Sequence, residues 1–213
     1  MQLKRGWGKL SAQRGLTGQR IGRVETMKIV EFRSADLEDA PAVREAVERL
    51  EDSGADCWLV PAVPESAAKL EAAGRKAQAQ ELLAALTLAE GARTFHNQMG
   101  RRLSEGENWR TTQTQLRQLF EEVTTLIHGI YLLGECTPQA LRVLNYFAER
   151  AGVIAVASAL RSRNVAAAPI WERVLVGEAA ETSLKKLKLE VSERAEAGEI
   201  VLAPHSVGQI LRI

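Results

Sequence analysis

The stretch MKIVEFRSADLEDAPAVREAVERLEDSGADCWLVPAV, residues 27–63, decides the fold class. It opens on a short apolar run, MKIVEF (27–32), which predicts a first strand. APAVREAVERLEDS (40–53) spaces its apolar residues as one face of a helix and meets a stop at Gly54. DCWLVPAV (56–63) is almost unbroken in its apolar character, the pattern of a strand buried on both faces of a parallel sheet. Strand, helix and strand in this order predict an α/β fold with parallel pairing and a crossover helix.

The same alternation continues outward. Residues 66–88 are rich in Ala and Leu and predict a helix with Gly74 as its weak point. Residues 111–131 place Leu116, Leu119, Phe120, Val123, Ile127 and Ile130 at helical spacing. Thr137-Pro138 is a capped helix start with proline at the first position, and helix is expected from there to about Arg163. VAAAPIW (165–171), RVLV (173–176) and EIVLAP (199–204) read as strands, with a charged helix over 181–197.

Residues 1–26 differ in kind. They carry six cations against Glu25, a net +5, together with five glycines and no periodic apolar face. They read as a flexible basic leader without the apolar core of a secretory signal, and the folded unit is expected over 27–213. The whole chain is +1, so the body is −4, which argues against a nucleic-acid surface, since such surfaces cluster cations. Apolar runs fall short of the ~18 residues of a membrane span. Two cysteines, Cys57 and Cys136, and three histidines leave no metal-ligand spacing, and no metal site is expected. A reducing, cytoplasmic setting is the corresponding expectation.

Several stretches, in a fixed order, resemble the aspartate kinases of the amino acid kinase family. MKIVEFRSADLEDAPAVREAVERL is similar to the family's opening, in which a strand runs into Lys-Phe-Gly-Gly-Thr-Ser and then a helix. HGIYLLGECTPQALRVLNYFAERAGVIAVASALRSRNVAAAPIW (128–171) resembles the segment holding a Thr-Pro helix start and a Gly-Glu-Arg-Leu-Ser signature, and RAEAGEIVLAPHSVGQ looks like the strand leading to the substrate-side loop. The resemblance implies an amino-acid-kinase-like αβα sandwich, and an active member would use ATP and Mg²⁺ to make 4-phospho-aspartate for lysine, threonine and methionine synthesis.

The departures fall where such chemistry is carried out. Phosphoryl transfer needs a cation on the phosphate oxygens and glycines that let backbone N–H groups approach them. Here Glu31 stands at the lysine position, Arg33 and Ser34 at the two glycines, and Ala35 and Asp36 at the Thr-Ser pair. A carboxylate at Glu31 would repel phosphate. On the acceptor side, Glu149 and Arg150 match the Glu-Arg of the signature, which implies weak L-aspartate binding through the ammonium group, while Ala151-Gly152 replaces Leu-Ser.

The sequence also ends before the family's nucleotide-binding half would begin, so a truncated, degenerate lobe without a cofactor is expected, acting as a binding, regulatory or scaffold unit. The alternative is an active aspartate kinase. EIVLAP would then lie at or near an open sheet edge with Val201 and Leu202 on view, covered by a second copy, by a separate chain, or by the leader or the last residues folding back. The 111–131 helix is a second possible contact. Of the remaining residues, His128 and the cysteines read as packing groups, and SLKKLKLE (183–190) as a solvated helix face.

Overall fold

The computed structural model describes residues 28–170 and 178–207. The leader, RVLV and the last six residues lie outside them. Four strands, β1 (Ile29–Glu31), β2 (Cys57–Val60), β3 (Ala167–Pro169) and β4 (Ile200–Pro204), form one sheet in the order β1-β2-β4-β3, and every pairing is parallel. The α/β class and the parallel sheet flanked by helices are therefore as read from the sequence. Among the described residues, six α-helices accompany the strands: α1 (Ala40–Glu51), α2 (Pro64–Gln78), α3 (Leu82–Leu103), α4 (Gly106–Leu133), α5 (Pro138–Ser162) and α6 (Glu178–Glu196).

Strand alternation sorts the apolar residues onto the two faces of the sheet. Trp58, Val60 and Leu202 join Val43 and Val47 of α1 and Val153 and Val156 of α5 in one core. Cys57, Leu59, Val201 and Ala203 point to the other face, where Leu187 and Val191 of α6 cover them. The 183–190 run is thus half core, with Leu187 fully buried and Leu189 exposed. A third core lies between α2, α3, α4 and α5, and it buries all six apolar residues read on the 111–131 helix, so that face is occupied within the chain.

α5 joins the helical core to the sheet. From Phe147 to Leu160 only Arg150 is not buried, as expected for a central helix that is apolar all round. It is the one described helix long and apolar enough to cross a membrane, and 78% of its most apolar stretch is buried inside the fold.

Two expectations are corrected. The single helix over 66–88 is two, α2 and α3, and the break is at Gln80 rather than Gly74. Gln80 adopts φ +64, the Glu81 N–H bonds the Lys76 carbonyl at 2.9 Å, and the Gln80 amide reaches the Tyr131 carbonyl at 2.8 Å, so a contact from α4 holds the turn. Gly74 stays helical because α5 packs onto it. A Cβ there would sit 2.7 Å from Leu144 Cδ1.

The second correction concerns EIVLAP. β4 pairs with β2 on one side and β3 on the other, and Val201 and Leu202 are fully buried. The exposed-edge argument for a partner at this strand has no basis, because β3, from residues 167–169, occupies that flank.

Candidate functional site

In open parallel sheets, ligand sites form beyond the carboxyl ends of the strands, where loops rather than ladder bonds take up the backbone polar groups. Here that end gathers Glu31 from β1, residues 33–37 after it, Pro61 after β2, His205 and Ser206 after β4, and Glu149 and Gly152 from α5.

Glu149 is buried at 4% exposure, and three donors hold its carboxylate. The Asn145 amide, one turn back on α5, donates to Oε1 at 3.1 Å, while the Ser206 N–H and hydroxyl donate to Oε2 at 3.0 and 2.5 Å. Burial pushes its acidity toward the protonated form, and the Ser206 bonds, the nearby His205 and Asn145 pull partly the other way. Its first structural effect is to pin the segment after β4 to α5. Three bonds leave room for about one more donor on a carboxylate with roughly four acceptor positions.

Glu31 and His205 meet above this pin. His205 Nδ1 lies 3.9 Å from Glu31 Oε1, and each side chain is 36% exposed. The two carboxylates that the sequence places 118 positions apart, Glu31 and Glu149, therefore share His205 as an intermediary.

The loop after β1 is a closed 3₁₀ turn, Ser34–Leu37, with Ser34 and Ala35 exposed and Leu37 fully buried. Asp36 clamps it. Burial acts to raise the Asp36 pKa, but the Arg33 side chain and N–H and the Arg49 guanidinium hold its carboxyl below the usual range, with contacts at 2.8, 2.8 and 2.9 Å. Arg33 is accordingly turned back onto its own loop.

Arg150, adjacent to Glu149 in sequence, is displaced around the helix and faces α4. It forms two bonds to Glu122 at 2.9 and 3.2 Å and lies over the Tyr146 and Phe147 rings. The structure thus brings Glu149 together with Glu31 and sends Arg150 to a different surface. His128 donates from Nδ1 to the Thr124 carbonyl at 2.9 Å, within its own helix. Burial pushes the Cys57 thiol up to about 12, an inert core position.

Sequence reading missed Asn145, His205 and Ser206. Asn145 had a signal, since it sits four residues before Glu149 on the same helix face. His205 and Ser206 had a weaker one, their place immediately after a buried strand.

Gly152 marks how closely α5 approaches β2. A Cβ there would lie 3.0 Å from the Pro61 carbonyl oxygen and 3.2 Å from Val60 Cγ1. Gly152→Ser, which restores the residue of the family signature, is expected to cost about 1–3 kcal/mol in urea denaturation, because backbone rather than a flexible side chain must move. A Ser variant as stable as wild type would show that β2 and α5 can separate freely.

No protein-family model matches the chain, and no curated protein matches it. Among solved structures, it is similar to E. coli aspartokinase III in complex with lysine and aspartate, at a TM-score of 0.65 and 19% identity over 82% of this chain and 40% of that one. The same enzyme in complex with aspartate and ADP gives a TM-score of 0.68 and 15% identity over the same shares. The chain spans 40% of the length of these structures. At such identities the likeness is one of fold, and the fold of this chain is aspartokinase-like.

Proposed function

We propose that this protein is an aspartate kinase homologue that has lost phosphoryl transfer and acts as a binding or regulatory lobe. The observation that carries the reading is Glu31, a carboxylate at the end of β1 in the position where the resemblance calls for a lysine. The His205 ring lies 3.9 Å from it, and Arg33, the nearest arginine in sequence, is engaged by Asp36. Phosphate oxygens brought to this strand end would meet the Glu31 carboxylate, which repels them. The 3₁₀ turn also carries side chains where backbone N–H groups would have to approach an anion. These residues do not fit a nucleotide's phosphates.

The acceptor side supports ligand binding better. Glu149 retains one acceptor position, and an amino acid's ammonium group is the donor that suits it. Weak L-aspartate binding by calorimetry is expected, and it should be lost in Glu149→Gln, which removes the charge while leaving an acceptor for Ser206. Equal binding by the Gln variant would place any amino-acid site elsewhere.

The experiment on catalysis is a coupled assay of the purified chain with ATP, Mg²⁺ and L-aspartate. No turnover above background is expected, and Glu31→Lys alone should not restore it, because the turn at 34–37 is unchanged. Magnesium-dependent turnover that disappears in Glu31→Ala would overturn the reading and establish an active kinase.

A further inference from the structure

Arg161, in the last turn of α5, pairs with no carboxylate among the described residues. Its neighbours in sequence order do: Arg150 pairs with Glu122, and Arg163 with Glu48 and Glu51. Among the described residues no carboxylate reaches the Arg161 guanidinium within 4.0 Å. Nη2 donates only to neutral oxygens on α4, Thr112 Oγ1 at 3.2 Å and Gln115 Oε1 at 3.4 Å. Nε is buried without a partner, and Nη1 reaches no acceptor among the described residues.

The surroundings are built of neutral polar groups. Thr112 donates to the Ser158 hydroxyl at 3.0 Å, Ser158 donates to Ser104 at 2.7 Å, and the Asn108 amide reaches the Arg161 carbonyl at 3.4 Å. This network fixes α4 against α5 and holds the guanidinium in place, but it contributes no negative charge. Burial accordingly lowers the pKa of Arg161, with no carboxylate acting against it. Arg161 is half-buried, so its charge is partly withdrawn from water with no carboxylate opposing it among the described residues, an arrangement that pairing or ligand binding relieves.

We propose that Arg161 anchors a site for a small oxyanion, of phosphate or carboxylate type, on the seam between α4 and α5. Guanidinium presents its N–H groups in a plane that matches two oxygens of either group. Nη1 and the second proton of Nη2 are the donors available to it, with the Thr112 and Gln115 side chains holding the fork in position. The site is separate from the strand-end cluster, which is built on Glu149 and not on Arg161.

The test is thermal unfolding of the full chain titrated with inorganic phosphate, and in a parallel arm with acetate, each against sodium chloride of equal ionic strength. Wild type should show an upward shift that saturates in at least one arm, and the arm that saturates identifies the oxyanion. Arg161→Gln should lose the saturating response, while Arg110→Gln, which alters an exposed arginine on α4, should keep it. Arg161→Lys should bind about tenfold more weakly or worse, since the planar fork is gone. Gln115→Glu places a carboxylate where Nη2 already points. It should raise the melting temperature without added anion and abolish the titration response. No saturating response in wild type, an unchanged response in Arg161→Gln, or an unchanged response in Gln115→Glu would each overturn the proposal.

Discussion

Acidification from pH 7 to pH 4 should cost the fold about 3 kcal/mol through one side chain, His96. His96 is 2% exposed, neither ring nitrogen has a hydrogen-bond partner, and burial, with Lys69 nearby, lowers its pKa from 6.5 to about 3. The unfolded chain takes up the proton below pH 6.5, whereas the folded chain resists it to about pH 3. Stability from this group is therefore complete above pH 6.5 and falls by about 1.4 kcal/mol per unit as pH drops between the two values. Asp36, whose pKa is lowered in the fold, adds to the loss in acid. Glu149, whose pKa is raised, works against it.

His96→Leu isolates the effect. The ring packs edge-on to Phe95 at 5.3 Å and lies 6.2 Å from Phe120, surroundings in which leucine of similar volume fits and leaves no orphaned nitrogen. Urea melts at the two pH values should show the variant at least as stable as wild type at pH 7 and most of the acid loss removed. An acid loss of the same size in the variant would assign it to other groups.

Glu149→Ala should cost about 3 kcal/mol, because the Ser206 N–H, the Ser206 hydroxyl and the Asn145 amide would lose their acceptor together. Glu149→Gln should cost less, since its amide oxygen still serves Ser206. The damage should be local as well as global: amide exchange at residues 204–207 should rise more than in β2, since the carboxylate ties that segment to α5. A cost below about 0.5 kcal/mol would mean that water replaces the carboxylate and that the pin contributes little.

The aspartokinase-like fold and the Glu149 prediction meet at one point. The carboxylate proposed for the acceptor side is at the same time a structural tie in this chain, so variants of it must be read for stability before they are read for binding. Glu31 is simpler, being one-third exposed and outside the core.

The sequence by itself determined the strands and their order along the chain, because apolar runs such as CWLV and IVLAP and the helical spacing of α1, α4 and α5 are local patterns with local causes. It also marked Glu31 and Glu149, since matching a motif needs no geometry. It could not determine that β3 would dock outside β4, because which strand neighbours which depends on the faces the helices cover. It did not show the break at Gln80, where a residue without turn preference is held in a left-handed conformation by the end of α4. Nor did it show that Glu149 and Arg150, adjacent in the chain, face different partners, that His205 stands between the two carboxylates, or that Arg161 meets no carboxylate among the described residues. Each of these depends on contacts between elements distant in sequence, and only the packed tertiary structure fixes burial and neighbouring charge.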